Sequence, residues 1–222
     1  MKGPSVKNKH DIKSFDKYYY YSQAVQSPEN DVEFFENTYR ELNNQQPRTL
    51  REDFCGTFAN SCAWVKRDKT FRACGIDNDN EPLTYGKQHY LSKLSEEAKE
   101  RVEVSKLDVL SPNLPSADII CALNFSYFCF KERTKLKTYL RSVYEQLNQN
   151  GILILDCFGG SDCHSANIEE IEHEEGEFSY FWDQDSFDPV SNNAQFYIHF
   201  KLHGEQQRRE KVFSYNWRMW SI

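Results

Sequence analysis

The sequence predicts an α/β fold: a doubly wound, mostly parallel sheet with an N-terminal helical cap and an antiparallel β meander after its fifth strand. Three observations lead to this fold class. From Arg48 to Gly160, strand-like and helix-like segments alternate, which is typical of a parallel sheet with helices on both faces. The segment "ADIICALN" is almost wholly apolar, as is usual for a strand covered on both faces. After Gly160, aromatic and polar residues alternate between turn signals, which indicates antiparallel strands.

Residues 1–46 are predicted to form the helical cap of a single domain of 222 residues. In "SPENDVEFFENTYREL", Ser27 is expected as the N-cap and Pro28 as the first helical residue. Spacings of three and four predict one apolar face on this helix, made of Val32, Phe35, Tyr39 and Leu42. The four tyrosines at positions 18–21 either pack onto the body of the protein or form a lid over a flat or cationic ligand.

Residues 47–160 are predicted to form a ligand-binding α/β core. Its five strands are expected at "TLREDF", "FRACGID", "VEVSKLDVL", "ADIICALN" and "GILILDCFGG". Helices are expected at "FANSCAWVKR", "EPLTYGKQHYLSKL" and "RTKLKTYLRSVYEQLNQNG". For the last helix the pattern predicts an inner stripe of Leu136, Leu140, Val143 and Leu147.

Residues 161–222 are predicted to form the antiparallel, aromatic meander. It begins with the acidic stretch "SANIEEIEHEEGE", which we expect to be a solvated loop or a short helix. Strands follow at "FSYFWDQD", "AQFYIHFKL" and "EKVFSYNWRMW", separated by the turn signals "DPVSNN" and "HGEQ".

Composition excludes several classes of function. The net charge of −7 disfavours a broad nucleic-acid-binding face. The N-terminus has no apolar segment typical of a secretory signal, and no window approaches the ~18 apolar residues of a membrane span. Seven cysteines, an odd number without a CxxC pair, favour reduced thiols in a cytoplasmic protein and argue against a zinc site. We therefore expect a cytoplasmic protein without a metal site or a membrane partner.

Polar residues follow all five predicted strands of the core. In an open parallel sheet, ligands bind at the carboxyl ends of the strands. A series of polar side chains at these ends therefore predicts one binding site. Its candidate residues are Glu52, Asp53, Phe54, Cys55, Gly56, Thr57, Asp77, Asn78, Asp108, Val109, Asn124, Phe125, Ser126, Tyr127 and Asp156.

The spacing in this series favours a nucleoside ligand. Asp77 lies 21 positions after Gly56 (77 − 56), close to the ~20 expected for an acid that binds ribose hydroxyls. A pyrophosphate loop needs the pattern GxGxxG, but Phe54 and Phe58 stand where further glycines are required. The residues therefore favour a nucleoside with a cationic, zwitterionic tail, whose ammonium group either Glu52 or Asp53 could attract.

The stretch "LREDFCGT" resembles motif one of class I S-adenosylmethionine-dependent methyltransferases, in which an acid lies three residues before Cys-Gly-Thr. "GIDND" resembles the second-strand acid of that family, and "LDVL" its adenine-contacting third-strand end. The ordered set of motifs covers almost the whole chain and is similar to an uncharacterised bacterial-type subgroup. The resemblance implies a Rossmann-like methyltransferase core that binds S-adenosylmethionine.

By position, the resemblance implies a role for each candidate. Glu52 and the loop of Phe54, Cys55, Gly56 and Thr57 would hold the methionyl part, and Asp77 the ribose. Asn78, next to Asp77, would belong to the same cofactor site. Asp108 would contact the adenine amino group, while Val109 would donate from its backbone and pack on the ring. Asn124 would complete the cofactor site.

For the acceptor, the sequence suggests Tyr20, Asn124, Tyr127 and Trp182. "NFSY" stands where some amino-group methyltransferases carry N-P-P-Y, which holds a planar nitrogen between an amide and an aromatic ring. The simpler interpretation, which we favour, is that Asn124 caps a strand end and Tyr127 begins core packing. No residue is assigned as a catalytic base.

We therefore predict methyl transfer from S-adenosylmethionine to a small or medium acceptor molecule. Two other functions stay open: a non-catalytic nucleoside-binding or assembly protein on the same fold, and an NAD-type oxidoreductase. The missing glycines disfavour the oxidoreductase.

Class I methyltransferases usually end with a further helix and two strands, whereas this sequence ends at "YNWRMWSI". The resemblance implies a truncated form without these closing elements, or a fifth strand covered by the meander or by a second chain. An uncovered apolar edge at "ILILDCF" would be open to self-association. Because the missing part usually walls the acceptor site, we expect weak or no turnover from these 222 residues even if the donor binds.

Overall fold

Two sheets organise the chain, as a computed structural model describes it for residues 15–173 and 176–220. A parallel sheet of five strands has the order β3-β2-β1-β4-β5, and an antiparallel sheet of four strands has the order β6-β7-β8-β9. The strands are β1 (Thr49–Asp53), β2 (Arg72–Asp77), β3 (Val102–Lys106), β4 (Ala117–Ala122), β5 (Leu147–Leu155), β6 (Asn167–Glu172), β7 (Phe178–Phe187), β8 (Asn193–Leu202) and β9 (Arg209–Arg218).

The helices are α1 (Lys17–Val25), α2 (Pro28–Asn43), α3 (Ala59–Arg67), α4 (Asn80–His89), α5 (Glu96–Lys99) and α6 (Arg133–Gln146). Short 3₁₀ turns lie at Leu91–Lys93, Ser126–Cys129 and Asp162–His164. The predicted fold class is confirmed: a mostly parallel, helix-flanked sheet is followed by antiparallel strands. None of the helices in the described part of the chain is long and apolar enough to cross a membrane.

The order of the parallel strands reverses between β1 and β4, which are neighbours although two strands separate them in sequence. Ligands of such sheets bind in the crevice outside the carboxyl ends of the strands at this switch point. The register pairs Leu50 of β1 with Ala73 of β2 and with Ile119 of β4. The residues after β1, β2 and β4 therefore meet at one edge of the sheet.

A buried ion pair joins Arg51 and Asp53 on β1. Arg51 Nε donates to Asp53 Oδ1 over 2.8 Å, and Arg51 Nη2 donates to Asp53 Oδ2 over 3.1 Å. The Tyr139 hydroxyl of α6 donates to the same Oδ2 over 3.0 Å, while Arg51 Nη1 reaches the Pro115 carbonyl and the Gln146 side chain. Both charged side chains are almost fully buried, and a buried ion pair is costly to break. Because Tyr139 and Gln146 belong to α6, the network links β1 to this helix.

The apolar faces of two helices differ in part from the sequence prediction. On α2, Val32, Phe35 and Tyr39 are buried, but Leu42 is 65% exposed in the last turn before the left-handed Asn44. On α6 the buried residues are Tyr139 and Val143, whereas Leu140 is exposed. Helix α6 turns Tyr139 toward β1, where its hydroxyl reaches Asp53, and the neighbouring Leu140 therefore faces away from the core. Leu147 lies outside this helix because it begins β5.

The acidic stretch after Gly160 is a strand, and the expectation of a solvated loop or short helix is wrong. Residues Asn167–Glu172 form β6, which pairs antiparallel with β7 at the edge of the second sheet. All its residues are exposed, and acidic residues are common on edge strands because they discourage further pairing. The hydrophobic pattern did not predict this strand, because β6 is stabilised by pairing with β7 and not by burial of apolar side chains.

Helix α1 bridges the parallel sheet and the second sheet. Asp16 caps its N-terminus and also accepts a hydrogen bond from the Tyr85 hydroxyl of α4 over 3.0 Å. Lys17 pairs with Glu81 of α4 over 2.6 Å, and Tyr21 lies 5.0 Å from the Phe213 ring of β9. Since every residue of α1 is half-buried or exposed, the helix is a cover and contributes little to the core.

The fifth strand lies at one edge of the parallel sheet and pairs with β4. Within the described residues no strand pairs with its other side, and the meander forms its own sheet instead. Among the described residues, the meander therefore leaves the outer edge of β5 without a paired strand. Self-association through this edge stays a prediction.

We expect Asp53→Ala to lower the free energy of unfolding by about 3–5 kcal/mol, because it leaves Arg51 charged and unpaired in the core. The double variant Arg51→Met with Asp53→Leu should recover most of this loss, since an apolar pair has no charge to desolvate. Urea unfolding of the natural chain, Asp53→Ala and the double variant measures these differences. A double variant as unstable as Asp53→Ala would contradict the role of the ion pair.

Candidate functional site

A cavity of about 500 Å³ lies between the carboxyl ends of the parallel strands and the second sheet. Its size is within the range of small-molecule sites, which is ~300–1,000 Å³. The first part of its lining comes from the parallel sheet and its loops: Glu52, Asp53, Phe54, Cys55, Gly56, Thr57, Asn60, Asp77, Asp79, Pro82, Leu123, Asn124, Phe125, Ser126 and Phe158. The second part comes from the second sheet and helix α1 with its linker: Glu169, Ile171, Tyr180, Trp182, Ile198, Phe213, Tyr215, Trp217, Lys17, Tyr18, Tyr21, Val25 and Gln26.

At the end of β1, Glu52 points to the opposite face of the sheet from Arg51 and Asp53. Its Oε2 accepts hydrogen bonds from Ser61 N over 2.9 Å and from Ser61 Oγ over 2.6 Å. Phe58, in the N-cap position of α3, has no capping side chain, so Glu52 satisfies the first turn of that helix. Burial raises the pKa of Glu52 to about 7, although the hydrogen bonds from Ser61 act to lower it.

The loop after β1 has three residues in the left-handed region that favours glycine, but only one of them is a glycine. Phe54, Gly56 and Phe58 have φ values of 54°, 52° and 45°. Packing offsets the backbone strain of the two phenylalanines. The Phe54 ring lies 5.7 Å from the rings of Phe130 and Tyr139, and Phe58 is fully buried. Phe58 packs against Gly86 of α4, where an added Cβ would lie 2.5 Å from the Phe58 ring.

Asp77 ties the loop after β1 to the end of β2. Its Oδ2 accepts from Gly56 N over 2.7 Å and its Oδ1 accepts from Asp79 N over 2.8 Å. Each carboxylate oxygen retains a further lone pair. The half-buried carboxylate can therefore hold the loop and still accept from a ligand, as the 21-residue spacing suggested. Asn78 beside it is exposed and lies outside the cavity lining.

Two buried polar atoms in the lining, Thr57 Oγ1 and Asn60 Oδ1, have no hydrogen-bond partner among the residues that the structure describes. A buried polar group without a partner is costly and calls for an explanation such as a bound ligand. Sequence reasoning included Thr57 and missed Asn60. The signal was available, because Asn60 lies in the first turn of the helix that follows Gly56.

The structure does not bring Asp108 and Val109 into the cavity lining. Asp108 is exposed, and its Oδ1 accepts from Leu110 N over 2.8 Å. Val109 is buried in the apolar cluster that includes Cys74 and Ile76. Both residues follow β3, the neighbour of β2. Their predicted adenine contacts stay a prediction.

After β4, the first three residues of "NFSY" line the cavity and Tyr127 does not. Asn124 and Phe125 line the cavity in left-handed conformations, and their N–H groups donate to the Asp156 carboxylate over 2.6 and 2.8 Å. Tyr127 is buried in the core, 4.9 Å from the Phe128 ring. Its expected place in core packing is where the structure puts it, and it lies away from the cavity lining.

The tyrosines of α1 divide between core and cavity. Tyr20 packs on Phe15 and Phe178 at ring distances of 5.1 and 5.0 Å and lies outside the cavity lining. Tyr18 and Tyr21, three positions apart on the helix, line the cavity instead. Trp182 lines it as well, together with Tyr180, Tyr215 and Trp217, which sequence reasoning did not single out. The alternation in the meander was the signal, because alternate residues of a strand share one face.

No protein-family model and no curated protein matches the sequence. Solved structures do match. The chain is similar to an S-adenosylmethionine-dependent methyltransferase from Clostridium acetobutylicum, with TM-score 0.69, 18% identity, and 91% of this chain and 80% of that chain covered. It is also similar to CalS10, an amino pentose methyltransferase from Micromonospora echinaspora, with TM-score 0.72, 13% identity, and 96% and 86% covered.

A third similar structure is the sugar N-methyltransferase KedS8 from Streptoalloteichus, with TM-score 0.66, 15% identity, and 100% of this chain and 85% of that chain covered. At these identities the comparisons concern the fold. The chain has the fold of the class I S-adenosylmethionine-dependent methyltransferases, as the ordered motifs implied.

Glu52 should make stability depend on pH. A folded-state pKa near 7, against an ordinary value of 4.5, means that the folded chain holds a proton that the unfolded chain releases, so stability falls as pH rises between these values. We expect Glu52→Gln to be more stable than the natural chain above pH 7 by up to about 3 kcal/mol, and to lose this advantage below pH 4.5.

Thermal unfolding between pH 4 and pH 8 measures this difference, with Glu33→Gln on the exposed face of α2 as the matched control. The control should follow the natural chain at every pH. A constant difference between Glu52→Gln and the natural chain would show that folding does not shift the pKa of Glu52.

Proposed function

We propose that this protein binds S-adenosylmethionine and transfers its methyl group to a small acceptor molecule. One observation carries the proposal: at the switch point of the sheet, a single cavity combines the half-buried Asp77 carboxylate with the unpartnered, buried Thr57 Oγ1 and Asn60 Oδ1. These are an acceptor for ribose hydroxyls and two polar groups with which a ligand can form hydrogen bonds.

The residues present fit this donor. Asp77 would accept from the ribose hydroxyls, and Asn78, Asp108 and Val109 would lie on the adenine side. The backbone of Phe54, Cys55, Gly56 and Thr57, with Asn60 and Asn124, would surround the methionyl part. Glu52 would add an acid near the methionyl part. Burial raises its pKa, and a bound cation would lower that pKa and favour the ionised carboxylate. When bound, the donor supplies an electrophilic methyl group on a sulfonium.

The chain itself would bind, orient and exclude water. Asp156 holds the Asn124 and Phe125 amides, and so it positions the strand end against which the reacting groups would meet. Helix α1 covers the cavity with Tyr18 and Tyr21. Such alignment supplies a large part of the rate when the donor carries the reactive bond. We assign no catalytic base.

The alternative of an NAD-type oxidoreductase has less support. The side chains of Phe54 and Phe58 occupy the loop where a pyrophosphate site needs glycines, and both pack into the core. The acceptor of CalS10 is an amino pentose and that of KedS8 a sugar, which supports a small-molecule acceptor for this chain too. We place the protein in the cytoplasm, with no nucleic-acid partner.

Isothermal titration should show that S-adenosylmethionine and S-adenosylhomocysteine bind and that NAD does not. The reason is that the cavity has an acid for ribose hydroxyls and lacks the glycine loop for pyrophosphate. Equal or tighter binding of NAD would overturn the methyltransferase proposal in favour of the oxidoreductase. Binding of the nucleosides without methyl transfer to any small acceptor would favour the non-catalytic alternative.

Asp77→Ala should weaken S-adenosylhomocysteine binding at least about tenfold, because each charge-assisted hydrogen bond is worth roughly 1.5–3 kcal/mol. Asp77→Asn should lose less affinity for S-adenosylhomocysteine, since its side chain keeps one oxygen acceptor. Asn60→Ala should also weaken binding while the unfolding temperature of the free protein stays unchanged or rises. Asp68→Asn, in an exposed turn, is the control. Unchanged affinity in both Asp77 variants would show that Asp77 serves the loop alone.

A further inference from the structure

The face of the second sheet that borders the cavity forms an aromatic wall, which we define as Tyr180, Trp182, Phe213, Tyr215 and Trp217. The rings contact one another: Tyr215 and Trp217 are stacked at 4.5 Å, and Trp182 lies 6.2 Å from Trp217. Phe125, which follows β4, lies 6.3 Å from Trp217. The aromatic wall therefore faces the same space as the strand end where the methyl group would be delivered.

The charges on this side of the cavity are negative. Glu169 of β6 lines the cavity and stands opposite Trp182 in the strand register. Among the described lining residues, Lys17 is the one positively charged side chain. Its Nζ pairs with Glu81 over 2.6 Å and lies 4.9 Å from the Tyr18 ring. Aromatic faces and a carboxylate attract a cation, and no free cation is available there for a phosphate or carboxylate.

The lining also lacks a base suited to a hydroxyl acceptor. None of the described lining residues is a histidine. Burial raises the pKa of Tyr21 to about 12 and the pKa of Tyr215 well above its ordinary value, so both phenols stay protonated near neutral pH. Glu52, a lining acid whose pKa burial raises, already accepts two hydrogen bonds from Ser61. An amine needs no strong base, because its ammonium form loses a proton to water far more readily than an alcohol does.

From the aromatic wall and the charges beside it, we infer that the acceptor is an amine with an apolar body, methylated on nitrogen. This inference rests on the proposed function and names the substrate class of the same site. The aromatic wall and Glu169 hold the charged end of the amine, and the apolar lining holds its body.

The transfer step balances without a further reactant. The ammonium that the aromatic wall and Glu169 hold first loses a proton to water. The nitrogen of the resulting neutral amine then forms a bond to the methyl carbon with its lone pair, while the bond from that carbon to sulfur breaks and leaves its electron pair on sulfur. The positive charge passes from sulfur to nitrogen, and the methylated ammonium then loses a proton to water. The aromatic wall stabilises the positive charge before and after the step.

The test compares three probes of similar shape on protein saturated with S-adenosylhomocysteine: 4-hydroxyphenyl-trimethylammonium, its uncharged isostere 4-tert-butylphenol, and 4-hydroxybenzoate. Titration by tryptophan fluorescence should show the cation binding roughly tenfold more tightly than the isostere, with the carboxylate weakest. Equal binding of the cation and the isostere, or tightest binding of the carboxylate, would overturn the inference.

Glu169→Gln should reduce the advantage of the cation several-fold and leave 4-tert-butylphenol binding unchanged. Glu170→Gln, the next residue on the exposed edge strand and outside the lining, should change neither. Trp182→Leu, which keeps an apolar side chain, should also reduce the advantage of the cation. An advantage that survives both Glu169→Gln and Trp182→Leu would show that another part of the protein binds the cation.

Two measurements separate this inference from the proposed function. Titration with S-adenosylhomocysteine alone tests the donor site, and its failure would remove the proposed function. The preference for the cation is then measured on the protein without nucleoside, where it reports on the aromatic wall alone. With the donor and tyramine, methylation of the amine nitrogen supports the inference, and methylation of the phenol oxygen overturns it.

Discussion

The buried ion pair of Arg51 and Asp53 is the constraint on which the site depends, because it decides the direction of every side chain at the end of β1. Residues of a strand alternate between its faces. With Asp53 held by Arg51 and by Tyr139, Glu52 must face α3, where it caps the first turn of that helix. Core stability and the position of the cavity wall therefore depend on the same strand.

Carboxylates shape the rest of the strand-end cavity by binding backbone amides. Asp77 accepts from Gly56 N, and Asp156 accepts from Asn124 N and Phe125 N. The residues they hold have left-handed backbones, which ordinary side chains adopt rarely. Each acid therefore stabilises a left-handed turn beside the cavity, and of the two only Asp77 also faces the expected ribose. An acid at a strand end can be structural, ligand-binding or both.

The second sheet and α1 supply the other half of the cavity. The sheet presents large aromatic residues to the strand ends, and α1 spans from α4 to β9 across the opening. One side of α1 packs on the apolar cluster of the second sheet through half-buried residues such as Tyr20, and another side covers the cavity with Tyr18 and Tyr21. The two halves together make a space that a parallel sheet alone would leave open to water.

The sequence by itself determined the alternating α/β core, the strand-end series and the place of Asp77 at the end of the second strand, because these follow from local periodicity and from spacings within one supersecondary unit. It could not separate Glu52 from Asp53, since both follow one strand and the distant partners Ser61, Arg51 and Tyr139 assign their roles. The tertiary structure also decided that β6 is a strand, that Leu140 is exposed, and that Tyr18 and Tyr21, not Tyr20, face the cavity. The physical reason is the same in each case: the outcome depends on which surface the segment meets, and that surface is made by residues far away in the chain.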